Sequence, residues 1–175
     1  MRHFLLIALL CALTAPASAQ DTELEYRVKA AYLFNFTKFI DWPVTATDGD
    51  NSFSICIAGR NPFGAALAST LVGETAAGRS TATRVVNPGD ADSCQVLFVP
   101  RGVAAAPYFR GVEGAPVLTV GESPDFLAQG GVINFVIDEG RVRFEINQMA
   151  AERAQLKVSS RLLQLGRANP TQGDK

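Results

Sequence analysis

A single helical segment, AAYLFNFTKFIDWP at residues 30–43, is apolar on nearly every side. At about 100° of rotation per residue, its apolar side chains surround the helix axis; they are Leu33, Phe34, Phe36, Phe39 and Ile40. A surface helix normally keeps one polar face. We therefore expect this helix either to lie inside a layered core or to present Leu33, Phe34 and Trp42 to a homodimer or partner protein.

Short apolar runs that alternate with helical segments restrict the fold class. The predicted strands are FSICIAG (53–59), TATRVV (81–86), QVLFVP (95–100) and APVLTVGE (115–122). The predicted helices are the opening segment, which starts near Asp21 or Thr22 and stops at Pro43, then 61–71 with Asn61 as cap, and 102–114. This order predicts an α/β fold, a single layered domain with a largely parallel central sheet and helices on both faces.

The last third of the chain changes its pattern. GGVINFVIDEGRVRFEINQ contains two alternating runs around Asp138, Glu139 and Gly140, which predicts a C-terminal antiparallel hairpin. Arg143, Glu145 and Asn147 share its polar face, where partner recognition is a functional alternative to ordinary strand pairing. A short helix and a terminal helix capped by Ser159 or Ser160 follow. Leu156 and Val158, near the end, fit either the core or a partner contact.

The first residues have the features of a secretory signal. Arg2 precedes an apolar run from Phe4 to Leu13, and small residues end at Ala19. We expect residues 1–19 to be cleaved and residues 20–175 to form a single periplasmic domain. No later segment predicts insertion into a membrane. Loss of Arg2 lowers the net charge from −1 to −2, and the scattered basic residues do not suggest nucleic-acid binding.

Cleavage would also remove the sole histidine, His3. The mature chain would then lack the imidazole that Ser-His-Asp triads, Cys-His pairs and most zinc sites use. We expect no metal, no cofactor and no enzymatic activity, with carboxylate-only catalysis as a remote alternative.

Two cysteines, Cys56 and Cys94, would remain in an oxidising compartment, where an even number favours a disulfide. A structural staple is the simpler interpretation, and a redox switch is the alternative.

GRNPFG, residues 59–64, follows a predicted strand and precedes a predicted helix. Backbone N–H groups of Gly59, Asn61 and Gly64 could bind a small anion with help from Arg60. The alternative is a tight turn that needs its glycines for conformation alone.

Seven segments in order resemble the YfiR-like family of periplasmic proteins over roughly residues 26–165. They are VKAAYLFNFTKFIDWP, FSICIAGRNPFG, SCQVLFVP, PVLTVGESPDF, GGVINFV, VRFEINQMAA and LKVSSRLLQL. Cys56 and Cys94 fall where the family's commonest cysteine pair falls. Some members carry a second pair near the final hairpin, and this chain has none there.

The resemblance implies a small, usually dimeric α/β protein without catalytic activity. It implies that the protein binds and represses the periplasmic sensor region of an inner-membrane diguanylate cyclase, and that an outer-membrane lipoprotein sequesters it under envelope stress. The alternative function is a periplasmic small-molecule binding module that serves another membrane signalling protein, such as a sensor kinase.

Overall fold

The computed structural model describes residues 17–43 and 52–167, with side chains from Gln20 onward. The helices in these ranges are α1 (Ala17–Phe36), α2 (Ala66–Leu71), α3 (Ala105–Gly111), α4 (Gln148–Arg153) and α5 (Ser160–Leu165), with a 3-10 helix at Pro88–Ser93. The strands are β1 (Ile40–Asp41), β2 (Ser52–Ala58), β3 (Thr75–Ala76), β4 (Arg79–Val86), β5 (Val96–Val99), β6 (Leu118–Gly121), β7 (Ile133–Asp138), β8 (Arg141–Ile146) and β9 (Lys157–Val158).

The main sheet has seven strands in the order β3-β4-β2-β5-β6-β7-β8. The five central strands are parallel, and the outermost strands β3 and β8 are antiparallel to their neighbours. β5 and β6 are buried along their whole length, as expected for central strands with both faces covered. The predicted α/β class and largely parallel sheet are confirmed.

The predicted hairpin is also confirmed, because β7 and β8 pair from Ile133↔Ile146 to Asp138↔Arg141. Both turn residues have positive φ, 48° at Glu139 and 71° at Gly140. Two consecutive positive φ values are typical of the tight turns whose twist matches that of paired strands.

Two apolar cores lie on opposite faces of the sheet. The first contains buried residues of α1, α2, α4 and α5, and the second contains residues of α3 and the 3-10 helix. Helices therefore cover both faces, as predicted. The second half of α1 reaches the hairpin through aromatic contacts, since Phe36 lies 5.8 Å from Phe135 and 5.0 Å from Phe144 between ring centroids.

Several predicted boundaries were wrong. The opening helix does not continue to Pro43, because the Thr37 hydroxyl and N–H both bond to the Phe34 carbonyl and tighten the last turn. Ile40 and Asp41 then pair with Val158 and Lys157 in a small second sheet that we did not predict.

The helix predicted from Asn61 begins only at Ala66. The Asn61 side chain accepts from the Phe63 N–H at 2.8 Å and donates to the Gly64 carbonyl at 2.9 Å, so it closes a turn before the helix. The segment after β4 forms the 3-10 helix. The cap predicted at Ser159 is confirmed, since its hydroxyl accepts from the Leu162 N–H at 3.2 Å.

Candidate functional site around the first helix

The two halves of α1 have different surroundings. Ala30, Leu33 and Phe34 in the second half are buried in the first core. In the first half, Leu24 is 60% exposed and Val28 is 37% exposed. For Leu33 and Phe34 the structure therefore supports the core alternative, and the exposed apolar face of α1 lies one to two turns earlier.

Two grooves lie on either side of this exposed half, and Leu24 and Val28 line both of them. The turn groove separates α1 from residues 62–70 and has a volume of about 1030 Å³. The hairpin groove separates α1 from the β7–β8 hairpin and has a volume of about 700 Å³. Tyr26 packs edge-on against Phe63, with ring centroids 5.4 Å apart, but open grooves remain on both flanks, so the first half of α1 stands as a ridge between them.

A group of buried and half-buried polar side chains, here called the Glu122 cluster, fixes α1 to the sheet. It consists of Glu25, Tyr26, Lys29 and Glu122 with the backbone N–H of Arg101. Glu122 directly follows β6 and is 3% exposed, and Lys29 is 1% exposed. The Lys29 ammonium contacts the carboxylates of Glu122 and Glu25. The Tyr26 hydroxyl donates to Glu122 at 2.9 Å, and the Arg101 N–H donates to it at 2.8 Å.

The ion pair between Lys29 and Glu122 gives each buried charge a partner. Charges that are buried in proteins are usually paired in this way. Burial, and then the negative charge of Glu122, raise the pKa of Tyr26 well above its ordinary value of 10.0. The phenol therefore remains a hydrogen-bond donor across the physiological range. One carboxylate thus joins two residues of α1 to the loop that follows β5.

The predicted polar face of the hairpin is only partly available. Arg143 is exposed and Glu145 is half-buried. Asn147 has a structural role, because its side chain caps α4 by accepting from the Ala150 N–H at 3.1 Å and donates to the Leu127 carbonyl at 3.2 Å. Arg141, which we did not predict, is exposed beside Arg143 in the hairpin groove.

The remaining predicted contact residues lie in the small sheet or beneath it. Leu156 is buried in the first core, and Val158 is half-buried and pairs with Ile40. Trp42 packs edge-on against Phe53, 5.0 Å away between ring centroids. Their surroundings are explained by packing within the domain, and a partner role for them stays a prediction.

The predicted anion loop is a compact turn. Gly59 has a φ of 69°, and a Cβ at this position would lie 3.4 Å from the Val103 side chain. Gly64 also has a positive φ, of 55°, so both glycines have conformational reasons to be there. Arg60 is exposed. Anion binding at Gly59, Arg60, Asn61 and Gly64 stays a prediction.

The structure joins Cys56 and Cys94 in the predicted disulfide, with Cα atoms 6.0 Å apart. Both residues are buried in the second core. The disulfide links β2 to the residue that follows the 3-10 helix. Its position in the second core separates it from the grooves around α1.

Sequence reasoning missed the ridge and the Glu122 cluster, although signals for both were present. Leu24 and Val28 are four residues apart, as are Glu25 and Lys29, and residues at this spacing share a helix face. Lys29 also lies within an otherwise apolar stretch. No signal along the chain identified Glu122 as the distant partner, which lies 93 positions away.

Within the two described ranges, no group of side chains is arranged to hold a metal ion. In the same ranges, no helix is long and apolar enough to cross a membrane. The predicted signal cleavage concerns residues that lie almost entirely outside the described part and stays a prediction.

Comparison with known proteins identified one family. A family described as YfiR/HmsC-like (DUF4154) matches residues 26–167. The fold is similar to the crystal structure of a conserved domain protein from Vibrio cholerae O1 biovar eltor, with a TM-score of 0.52 and 11% identity. The similarity covers 82% of this chain and 59% of that one, so the chain spans little more than half of that protein. A search of curated proteins found no match.

Proposed function

This chain belongs to the YfiR/HmsC-like family, a family of periplasmic regulators, and we propose that it represses an inner-membrane diguanylate cyclase. In this proposal it binds the periplasmic sensor region of the cyclase and lowers cyclic di-GMP synthesis. The family supports a regulatory rather than a catalytic role. The periplasmic location of the family agrees with the disulfide between Cys56 and Cys94 in this chain.

The observation that carries the proposal is the ridge of α1 with its two grooves. Exposed apolar side chains gathered at one place usually mark a site of protein interaction. Leu24 and Val28 are joined there by Ile137 of the hairpin, which is 49% exposed. This surface would contact the sensor region.

Repression requires a difference in affinity. A bound protein shifts the equilibrium of its partner only when it binds one conformation more tightly than the other. The regulator would therefore bind the inactive conformation of the sensor region more tightly. A shift from 1:99 to 99:1 needs about a 10⁴-fold difference in affinity, which sets the scale of the effect.

Two further interactions belong to the proposal. An outer-membrane lipoprotein would sequester the regulator under envelope stress and so release the cyclase. The regulator would also act as a homodimer. The lipoprotein and the second copy of the regulator would each bind at or beside the surface that contacts the cyclase. Release of the cyclase would then depend on the concentrations of these partners.

The test is the intracellular level of cyclic di-GMP in the native host after deletion of the gene. We expect a rise that returns to the wild-type level when the gene is restored. As a control, the gene is also restored without its first 19 residues, which should not complement if the protein acts in the periplasm. An unchanged level, while the protein is expressed in the wild type, would refute repression of a cyclase and favour a small-molecule binding module for another receptor.

A further inference from the structure

We propose that the hairpin groove binds an extended segment of the partner protein, which adds as a strand beside β8 and carries alternating apolar and acidic side chains. This inference rests on the proposed function and identifies the surface and the chemistry of its partner. The groove lies between a helix, α1, and an edge strand of the sheet, β8. PDZ and PTB domains bind peptides in this way, by adding a strand to an exposed sheet edge.

The backbone of β8 is open where it borders the groove. The Phe144 carbonyl accepts from the Arg167 N–H at 2.9 Å, so the backbone groups of Phe144 point away from β7. Backbone direction alternates along an antiparallel strand, and the N–H and C=O of Val142 therefore point the same way. Within the described part of the chain, Arg167 pairs at Glu145 and no segment covers Val142.

The side chains around this open position divide by face. Val142 packs against the first core, on the side of α1, where Val28 and Ile137 line the groove. Arg141 and Arg143 also border the groove, but they alternate with Val142 along β8, so their side chains leave the strand on the opposite face. An added strand would place every second side chain against the apolar residues and the others beside the two arginines.

The charges specify the second set of side chains. Arg141 and Arg143 are exposed, and neither has an ion-pair partner among the described residues. Opposite charges on neighbouring strands stabilise pairing, and like charges directly opposite destabilise it. The acidic residues that line the groove, Asp21 and Glu25, belong to α1 on the other side, so alternation keeps them away from the acidic side chains of the added strand. The partner segment is therefore acidic on one face and apolar on the other.

The probe is a fluorescein-labelled heptapeptide of alternating Val and Glu, measured by fluorescence anisotropy against the mature protein. We expect it to bind at least about tenfold more tightly than the matching Val and Lys peptide. Arg141→Glu with Arg143→Glu should reverse this preference, and Arg110→Glu on α3, across the sheet, should not. Equal affinity for the two peptides, or no binding of either, would overturn the inference.

Strand addition is tested separately from charge. Val142→Pro removes the outward N–H without removing a bond to β7, and Pro is tolerated on edge strands. Val142→Ala is its matched control, since it loses a similar apolar contact but keeps the N–H. We expect binding to fall at least about tenfold in the Pro variant relative to the Ala variant. If the Pro variant fails to fold, a peptide N-methylated on the residues facing β8 provides the same test with the unaltered protein.

Complementation separates this inference from the proposed function. If deletion raises cyclic di-GMP and Val142→Pro restores the wild-type level as fully as Val142→Ala, strand addition is refuted and cyclase repression stands. If deletion changes nothing, cyclase repression is refuted, and the peptide measurements alone decide on the groove. Loss of repression in the Pro variant alone, together with weaker peptide binding, would support both.

Discussion

The Glu122 cluster gives a quantitative test of how α1 is held. Glu122→Gln keeps the size of the side chain but removes the charge that faces Lys29. The Lys29 ammonium would then remain 1% exposed with only the Glu25 carboxylate beside it. The Tyr26 hydroxyl and the Arg101 N–H both donate to Oε1 of Glu122, and Lys29 contacts Oε2, so the amide NH₂ would face either both donors or the ammonium. Breaking one side of a buried pair costs about 3–5 kcal/mol.

Because Glu25 still contacts the ammonium and the amide oxygen still accepts hydrogen bonds on one side, we expect a loss of about 2–4 kcal/mol for Glu122→Gln. Lys29→Met should cost a similar amount, since it leaves the Glu122 carboxylate buried with two neutral donors. The double variant should lose much less than the sum, because no uncompensated buried charge remains. The coupling free energy of the cycle should be about 1–3 kcal/mol.

The measurement is urea unfolding of the wild type and three variants at pH 7, followed by circular dichroism. Stability is taken from midpoints at constant slope, because a changed slope would mean a changed unfolded or native state. Losses that add within about 0.5 kcal/mol in the double variant would refute the reasoning, since independent sites behave in that way. A loss below about 1 kcal/mol for Glu122→Gln would show that the pair is solvated in solution.

Three further predictions concern the core and the titration of the cluster. Gly121→Ala should destabilise the fold by about 1–3 kcal/mol in urea unfolding, because the new methyl would lie 2.4 Å from an aromatic ring, whereas Gly89→Ala meets nothing within 4 Å and should be near neutral. Replacing Cys56 and Cys94 together by Ala should cost about 2–4 kcal/mol without changing peptide binding in the hairpin groove. Phenolate absorbance should show a component that ionises well above pH 10 and is absent in Tyr26→Phe. Since the folded-state pKa is raised, the unfolded state loses this proton first, and the stability that Tyr26 contributes should fall as the pH rises above about 10.

The sheet could be predicted from the sequence because its strands have a local signal. QVLFVP is apolar on both faces, and the alternation around Glu139 and Gly140 allows few structures other than a hairpin. The largely parallel pairing followed from the alternation of strands with helices, whereas the order of the strands in the sheet was not predicted. The boundaries of α1 could not be predicted, because its end depends on a bond to Thr37 and on the pairing of Ile40 with Val158, which lies more than 100 residues later.

The candidate site was less accessible to sequence reasoning. Phe34 was a reasonable interface residue when only the helix was considered, and it became a core residue because α1 is covered from more than one side. Leu24 was not predicted as a site residue, because an isolated leucine in a polar stretch is common on protein surfaces. The role of Leu24 depends on how close α1 lies to the β7–β8 hairpin, and this distance could not be read from the sequence.

The Glu122 cluster and the grooves are physically connected. Apolar packing holds the second half of α1. In the first half the Tyr26 ring packs against Phe63, but open space remains on both flanks, so apolar packing defines its position only in part. Hydrogen bonds and ion pairs are directional, and the contacts of Tyr26 and Lys29 with one carboxylate restrict both the rotation and the height of the helix. The width of the hairpin groove is set by that position. A buried ion pair can add little net stability to a fold. The pair of Lys29 and Glu122 can nevertheless be retained, because it keeps the ridge, and with it the groove beside β8, in one geometry.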